Sequence, residues 1–146
     1  MPAKSSLYDR DFYAWSIEQA ALLREGRVAE ADLESIAEEL ESMGKAEKRE
    51  FVDCLRVLML HLLKWRCQPS GRGDSWRLSI AEARDEIADL IEDSPSLKTN
   101  LDSAMASAYR DARRKAAIET ELAEESFPAQ APWTFAEATD DGFWPG

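Results

Sequence analysis

His61 is the only histidine in the 146-residue chain, and imidazole is the side chain that exchanges protons near neutral pH. Lys64 and Trp65 follow within one helical turn, and Arg72, Trp76 and Arg77 lie a little further on. Between Cys54 and Arg77 there are five cations (Arg56, Lys64, Arg66, Arg72, Arg77) and one acid, Asp74. Guanidinium and ammonium groups beside indoles hold phosphates, carboxylates or a partner's acidic strip. His61, Lys64, Trp65, Arg72, Trp76 and Arg77 therefore form the candidate binding surface, around a loop at Gln68–Asp74. Plainer uses compete. A histidine at the edge of an apolar face bonds to nearby backbone or carboxylates. In a chain of 29 acids and 18 bases, the expected use of a cation is to pair internally with the acids of the second or fourth helix.

Other constellations fail on spacing. Glu38, Glu39 and Glu41 with His61 suggest a carboxylate–imidazole metal site, but the Glu-x-x-His pattern needs an acid where Leu58 stands. Cys54 and Cys67 belong to no Cys-x-x-Cys pair, and on one helix they lie roughly 20 Å apart, too far for a disulfide. Ser70-Gly71-Arg72-Gly73 lacks the Gly-Lys-Ser/Thr of a phosphate loop. Arg72-Gly73-Asp74 spells an adhesion tripeptide by chance. Arg110, Arg113, Arg114 and Lys115 read as a solvated face. No catalytic residue, metal site or cofactor is expected.

Charge and hydropathy narrow the class. The net charge of −11 repels nucleic-acid phosphates. The densest apolar run, Val57–Leu63, is interrupted by His61 and falls far short of the ~20 residues of a membrane span. Met1–Arg10 has no apolar core of a secretory signal. With two unpaired cysteines, a reduced, cytoplasmic protein is the expectation.

The elements that position these residues are helical. Periodicity predicts a first helix from an Asp9 cap to Glu25 with Gly26 behind it. A second follows over Asp32–Met43 with Gly44 as its stop. Its Leu33, Ile36, Ala37, Leu40 and Met43 make one buried stripe opposite Glu30, Glu34, Glu38 and Glu41. A third, Lys45–Cys67, is apolar nearly all round, apart from a strip at Asp53, Arg56 and Lys64, and reads as the buried hub. Asp74 or Ser75 caps a fourth helix to Asp93, with Trp76, Ile80, Ala83, Ile87 and Leu90 inward. Ser94-Pro95 opens a fifth helix to Thr120. From residue 121 onward the chain holds three prolines and five large aromatics, too many to leave in water. This tail is expected to strap across the bundle, with a short helix begun by the capping box Thr134-x-x-Glu137. The prediction is an all-α single domain over 1–146: a bundle of about five helices over 7–120 around a buried central helix, with a C-terminal strap over 121–146.

The order of the short motifs is familiar. Leu7-Tyr8-Asp9, Asp11-Phe12-Tyr13-Ala14-Trp15, Glu38-Glu39-Leu40-Glu41-Ser42-Met43-Gly44, His61-Leu62-Leu63-Lys64-Trp65, Gln68-Pro69, Ser75-Trp76, Phe127-Pro128 and Pro132-Trp133-Thr134 succeed one another. Together they closely resemble the bacterial family called domain of unknown function 29, from about Leu7 to Trp144. The resemblance implies a compact all-α domain and brings no activity, cofactor or catalytic residue. Cys67 and Ala131 stand where many members carry an aromatic residue and a cysteine, so thiol chemistry at the Pro-Trp turn is absent here.

Without an assembled catalytic constellation, the reading is a non-enzymatic acidic protein that binds another protein, a basic one by charge. The alternative is a small-ligand binder or enzyme around His61 and the Gln68–Asp74 loop. Self-association through the aromatic tail is the third possibility, and the oligomeric state is not fixed by sequence. Neither nucleic acid nor membrane is an expected partner.

Overall fold

In the computed structural model, residues 3–146 are described, with side chains from Leu7 onward. The protein is all-α: α1 (Ala3–Arg10), α2 (Phe12–Arg24), α3 (Leu33–Cys67), α4 (Asp74–Asp93), α5 (Leu101–Thr120) and the short α6 (Phe135–Thr139), joined by 3-10 turns, with no strand among the described residues. The chain falls into two compact units, one ending at Ala46 and the other spanning Glu47–Gly146.

Several helix boundaries differ from those expected. The first helix breaks at Asp11, whose carboxylate caps α2 by accepting from the Ala14 amide at 3.0 Å. Asp9 lies inside α1 instead of capping. Gly44 does not stop a helix: α3 runs through it as one 35-residue element. A lone glycine costs a helix only about 1 kcal/mol relative to alanine, and the strong helix formers on both sides outweigh it. Gly73 occupies the N-cap of α4, which puts Asp74 in the first turn, where its charge favours the helix dipole. Ser94-Pro95 opens a 3-10 turn, Pro95–Lys98, and α5 begins only at Leu101, after Asn100 takes a left-handed conformation with φ 64°.

In the second unit, α3 from Glu47 onward is the hub. Phe51, Leu55, Leu58, Met59, Leu62 and Leu63 are fully buried. Each such burial is worth roughly 1.5–3 kcal/mol. Val57 joins the Asp53–Arg56 strip in facing water, so this rod is covered on most sides but not all. α4 packs on it through Ile80, Ala83 and Ile87. α5 offers Ala104, Ala108, Ala112 and Ala116, four residues apart, whose small side chains let its backbone come close. The tail closes the core with Phe127, Trp133 and Ala138, all buried. The Thr134–Glu137 capping box forms as its sequence dictates and starts α6.

The first unit is smaller. Tyr8, Phe12 and Trp15 cluster, with Tyr8 and Trp15 ring centroids 4.6 Å apart. Buried Gln19 accepts from the Asp32 amide at 2.6 Å, and Asp32 in turn accepts from the Ser35 amide. Tyr8 donates to Glu39. The stripe expected to be buried on α3 is open: Leu40 is 64% and Met43 67% exposed, and Leu33 is also exposed. The physical reason is the size of the unit. Its buried contacts centre on Trp15, Gln19 and Ser35, and one face of the α2–α3 pair is left uncovered within the unit.

Candidate functional site

The structure brings five of the six candidate residues together at the C-terminal end of α3. Trp65, buried, carries the guanidinium carbons of Arg72 and Arg77 over its ring at 5.2 and 5.3 Å. Trp144 packs against the same indole at 4.6 Å between centroids, and Arg84 lies 5.4 Å from the Trp144 ring. A stacked pair of indoles, flanked by cations at both ends, thus forms a column that runs from α4 through the tail to α3 and back to α4. Lys64 lies 4.9 Å from the Trp76 ring and pairs with Glu119 at 2.8 Å. The Lys64 ammonium holds the Glu119 carboxyl below the usual carboxylate range.

Local backbone explains why these groups meet. Residues 68–73 fold into a 3-10 turn over Pro69–Gly71 that returns the chain along the end of α3. Gly71 sits against Trp76 so closely that a Cβ there would lie 2.4 Å from the indole. Arg72 Nε then donates to the Trp65 carbonyl at 2.6 Å, satisfying a helix-end acceptor.

The donors of this cluster already have partners within the chain, and the Arg77–Asp74 pair lies at the surface. Arg72 is spent on backbone and indole, Lys64 on Glu119, and Arg77 on Asp74 of its own helix at 3.3 Å. Internal pairing is therefore the use the structure makes of these cations, with Glu119 on α5 taking the place of the acids expected on the second helix. His61 stands apart from the column: its Nδ1 lies 2.8 Å from the Val57 carbonyl, four residues back. That bond fixes Nδ1–H as the donor and is the plain, backbone-bound role. The arrangement builds a clasp, and among the described residues no nucleophile or carboxylate is hydrogen-bonded to His61.

The residue that sequence reading missed is Arg84. It is buried on the inward side of α4, and its Nε, Nη1 and Nη2 donate to the carbonyls of Ala138, Asp141 and Phe143 at 2.9, 3.3 and 2.7 Å. Burial lowers its pKa, and Asp141 and Asp140 oppose that shift. Arg113, expected on a solvated face, does similar work: it donates to the Phe127 carbonyl and pairs with Glu124 at 3.2 Å. Tyr109 donates to the Pro128 carbonyl at 2.6 Å. The tail's aromatic residues are thereby used within the chain. An arginine placed beside Ala83 in the inward stripe of α4 was the only signal available.

The two thiols are free, Cys54 buried and Cys67 half-buried. Burial and a 3.2 Å bond to Glu86 push Cys54 up to about 12, so it is a neutral donor.

Two cavities are better placed to bind something than the column is. In the first unit, a groove of about 490 Å³ lies between α2 and α3, lined by Phe12, Leu23, Ile36, Leu40 and Met43 with Trp15 at its base. In the second, an open-sided groove of about 760 Å³ separates α5 from the tail segment around Trp133. Among the described residues, no group of three His, Cys, Asp or Glu side chains is arranged to hold a metal, and no helix is long and apolar enough to cross a membrane.

No curated protein and no solved structure matches this chain. The match that is found, to the family described as domain of unknown function DUF29, covers residues 7–144. It carries no activity to set beside this geometry; the chain belongs to that family.

Proposed function

We propose that this protein is a non-enzymatic binding protein whose α2–α3 groove receives a basic amphipathic helix of another protein. The observation that carries this reading is the open apolar stripe on α3. Ile36, Leu40 and Met43 recur at helical spacing opposite Phe12 and Leu23 of α2, the geometry in which a helix lays its own apolar face into a groove. Exposed Leu and Met in contiguous patches mark interaction surfaces rather than ordinary surface. Charge selects the partner. The first 46 residues hold ten acids and five bases, and Glu38 and Glu41 are exposed on α3 beside Leu40. Lysines or arginines flanking a partner's apolar face meet these carboxylates, and the net charge of −11 speeds the encounter. Two free cysteines fit a reducing compartment, and a cytoplasmic location is part of the proposal.

The test is fluorescence polarisation with three labelled 18-residue peptides: a Leu/Lys amphipathic helix, a Leu/Glu helix of the same pattern, and a Leu/Lys peptide with its leucines scrambled. Binding of the first alone, weakened by salt and lost in Leu40→Glu/Met43→Glu, is expected. Both substituted positions are exposed, so the variant folds. Equal binding of the Leu/Glu peptide, no binding of the Leu/Lys helix, or binding that survives the double substitution overturns the reading. A mass of two chains by light scattering that falls to one in the double variant assigns the groove to a second copy instead.

A further inference from the structure

A second, independent site lies in the groove between α5 and the tail. We propose that it binds an amphipathic carboxylate, an apolar chain ending in one anionic head, with Arg110 at the head.

Its volume, about 760 Å³, falls in the range of small-ligand sites. The walls are apolar. Leu101, Met105 and Tyr109, four residues apart on one face of α5, form one side; Ala131, Trp133 and Phe135 of the tail form the other. Leu101, Met105, Ala131 and Phe135 pack on the core and remain only partly buried, so each keeps surface for a ligand chain.

The polar groups are held more loosely than those of the Trp65 column. Lys98 and Gln130 line the groove and have no hydrogen-bond or ion-pair partner among the described residues. Arg110 is 69% exposed and its Nε is 3.7 Å from Asp111, too long for a hydrogen bond. Trp133 is buried, and its Nε1 has no acceptor; such a donor costs stability until an acceptor reaches it. The charges along the groove favour an anion. Glu124 is neutralised by Arg113 at 3.2 Å, and Asp111, the loose partner of Arg110, is shared with Arg56 at 3.5 Å, so the groove's own lining sets Lys98 and Arg110 against Asp102. Two cations thus line an apolar floor in a chain of net charge −11, and a guanidinium grips a carboxylate with two parallel bonds.

Titrating the protein with decanoate, and following tryptophan fluorescence and heat, tests the site. Decanol and decyltrimethylammonium serve as head-group controls. Saturable decanoate binding, roughly tenfold tighter than either control, is expected. Arg110→Gln, at an exposed position, should remove that preference for decanoate while leaving decanol binding unchanged. Ala106→Trp should fill the groove and abolish both. The double variant Leu40→Glu/Met43→Glu should bind decanoate normally, which separates this site from the helix groove. Equal affinity for decanoate and decanol, an undiminished preference in Arg110→Gln, no saturable decanoate signal, or loss of decanoate binding in the double variant overturns the proposal.

Discussion

The indole of Trp144 in the C-terminal tail packs on that of Trp65 in α3, with centroids 4.6 Å apart and planes inclined by 41°. Arg84 secures this contact by holding three carbonyls of the tail between Ala138 and Phe143. The tail is thus fixed by donors reaching backbone, which bind any sequence of side chains but only one path of the chain.

Arg84→Met keeps the apolar stem and removes the three donors. A loss of about 3 kcal/mol is expected, since charged donors to carbonyls are each worth more than neutral ones. Arg84→Lys should recover only part of it, because an ammonium cannot span three acceptors as a guanidinium does. Urea denaturation measures both, and a loss under about 1 kcal/mol in Arg84→Met removes the clasp from the account.

Tyr109 gives the fold an alkaline limit. Burial raises its hydroxyl from 10 to about 12, and the neutral form donates to the Pro128 carbonyl. The folded pKa lies above the unfolded one, so this contribution is complete below about pH 10 and drains away as pH rises from 10 to 12. Tyr109→Phe should cost about 1 kcal/mol at pH 7. Its deficit should shrink steadily over that alkaline window. A deficit that stays constant to pH 12 contradicts the assignment.

Gly44 tests the continuity of α3. A Cβ there meets nothing within 4 Å, and its φ is not in the positive region. Gly44→Ala should stabilise the protein by about 0.5–1 kcal/mol. Were Gly44 a helix stop in left-handed conformation, the same change would destabilise it, so the sign of the shift in melting temperature decides.

The thiols should differ in reactivity. Cys54 is buried, bonded to Glu86 and pushed up to about 12; Cys67 is only half-buried, and burial raises its pKa as well. Thiolate is the reactive form, so both are slow at pH 8. Cys67 should label first with a disulfide reagent, and Cys54 only on unfolding. Equal native rates at the two positions speak against the burial described.

The sequence alone determined what depends on neighbours within a turn or two. The helical class, the 4-3-4-3 stripe of α4, the alanine-lined α5, the Thr134–Glu137 box and the packing of the tail's Phe127 and Trp133 into the core all follow from spacing and composition. Tertiary structure decided the rest. Whether Gly44 ends a helix or lies within one depends on a balance of about 1 kcal/mol, which local pattern does not resolve. Periodicity shows that Leu40 and Met43 share a face with Ile36, but only the packing of the unit shows that this face is uncovered. Arg84, Lys64 and Arg72 are cations of the same kind in the sequence. Their partners lie 54, 55 and 7 positions away, and the three-dimensional path of the chain chose them, because a long charged side chain bonds to whatever acceptor the fold brings within reach.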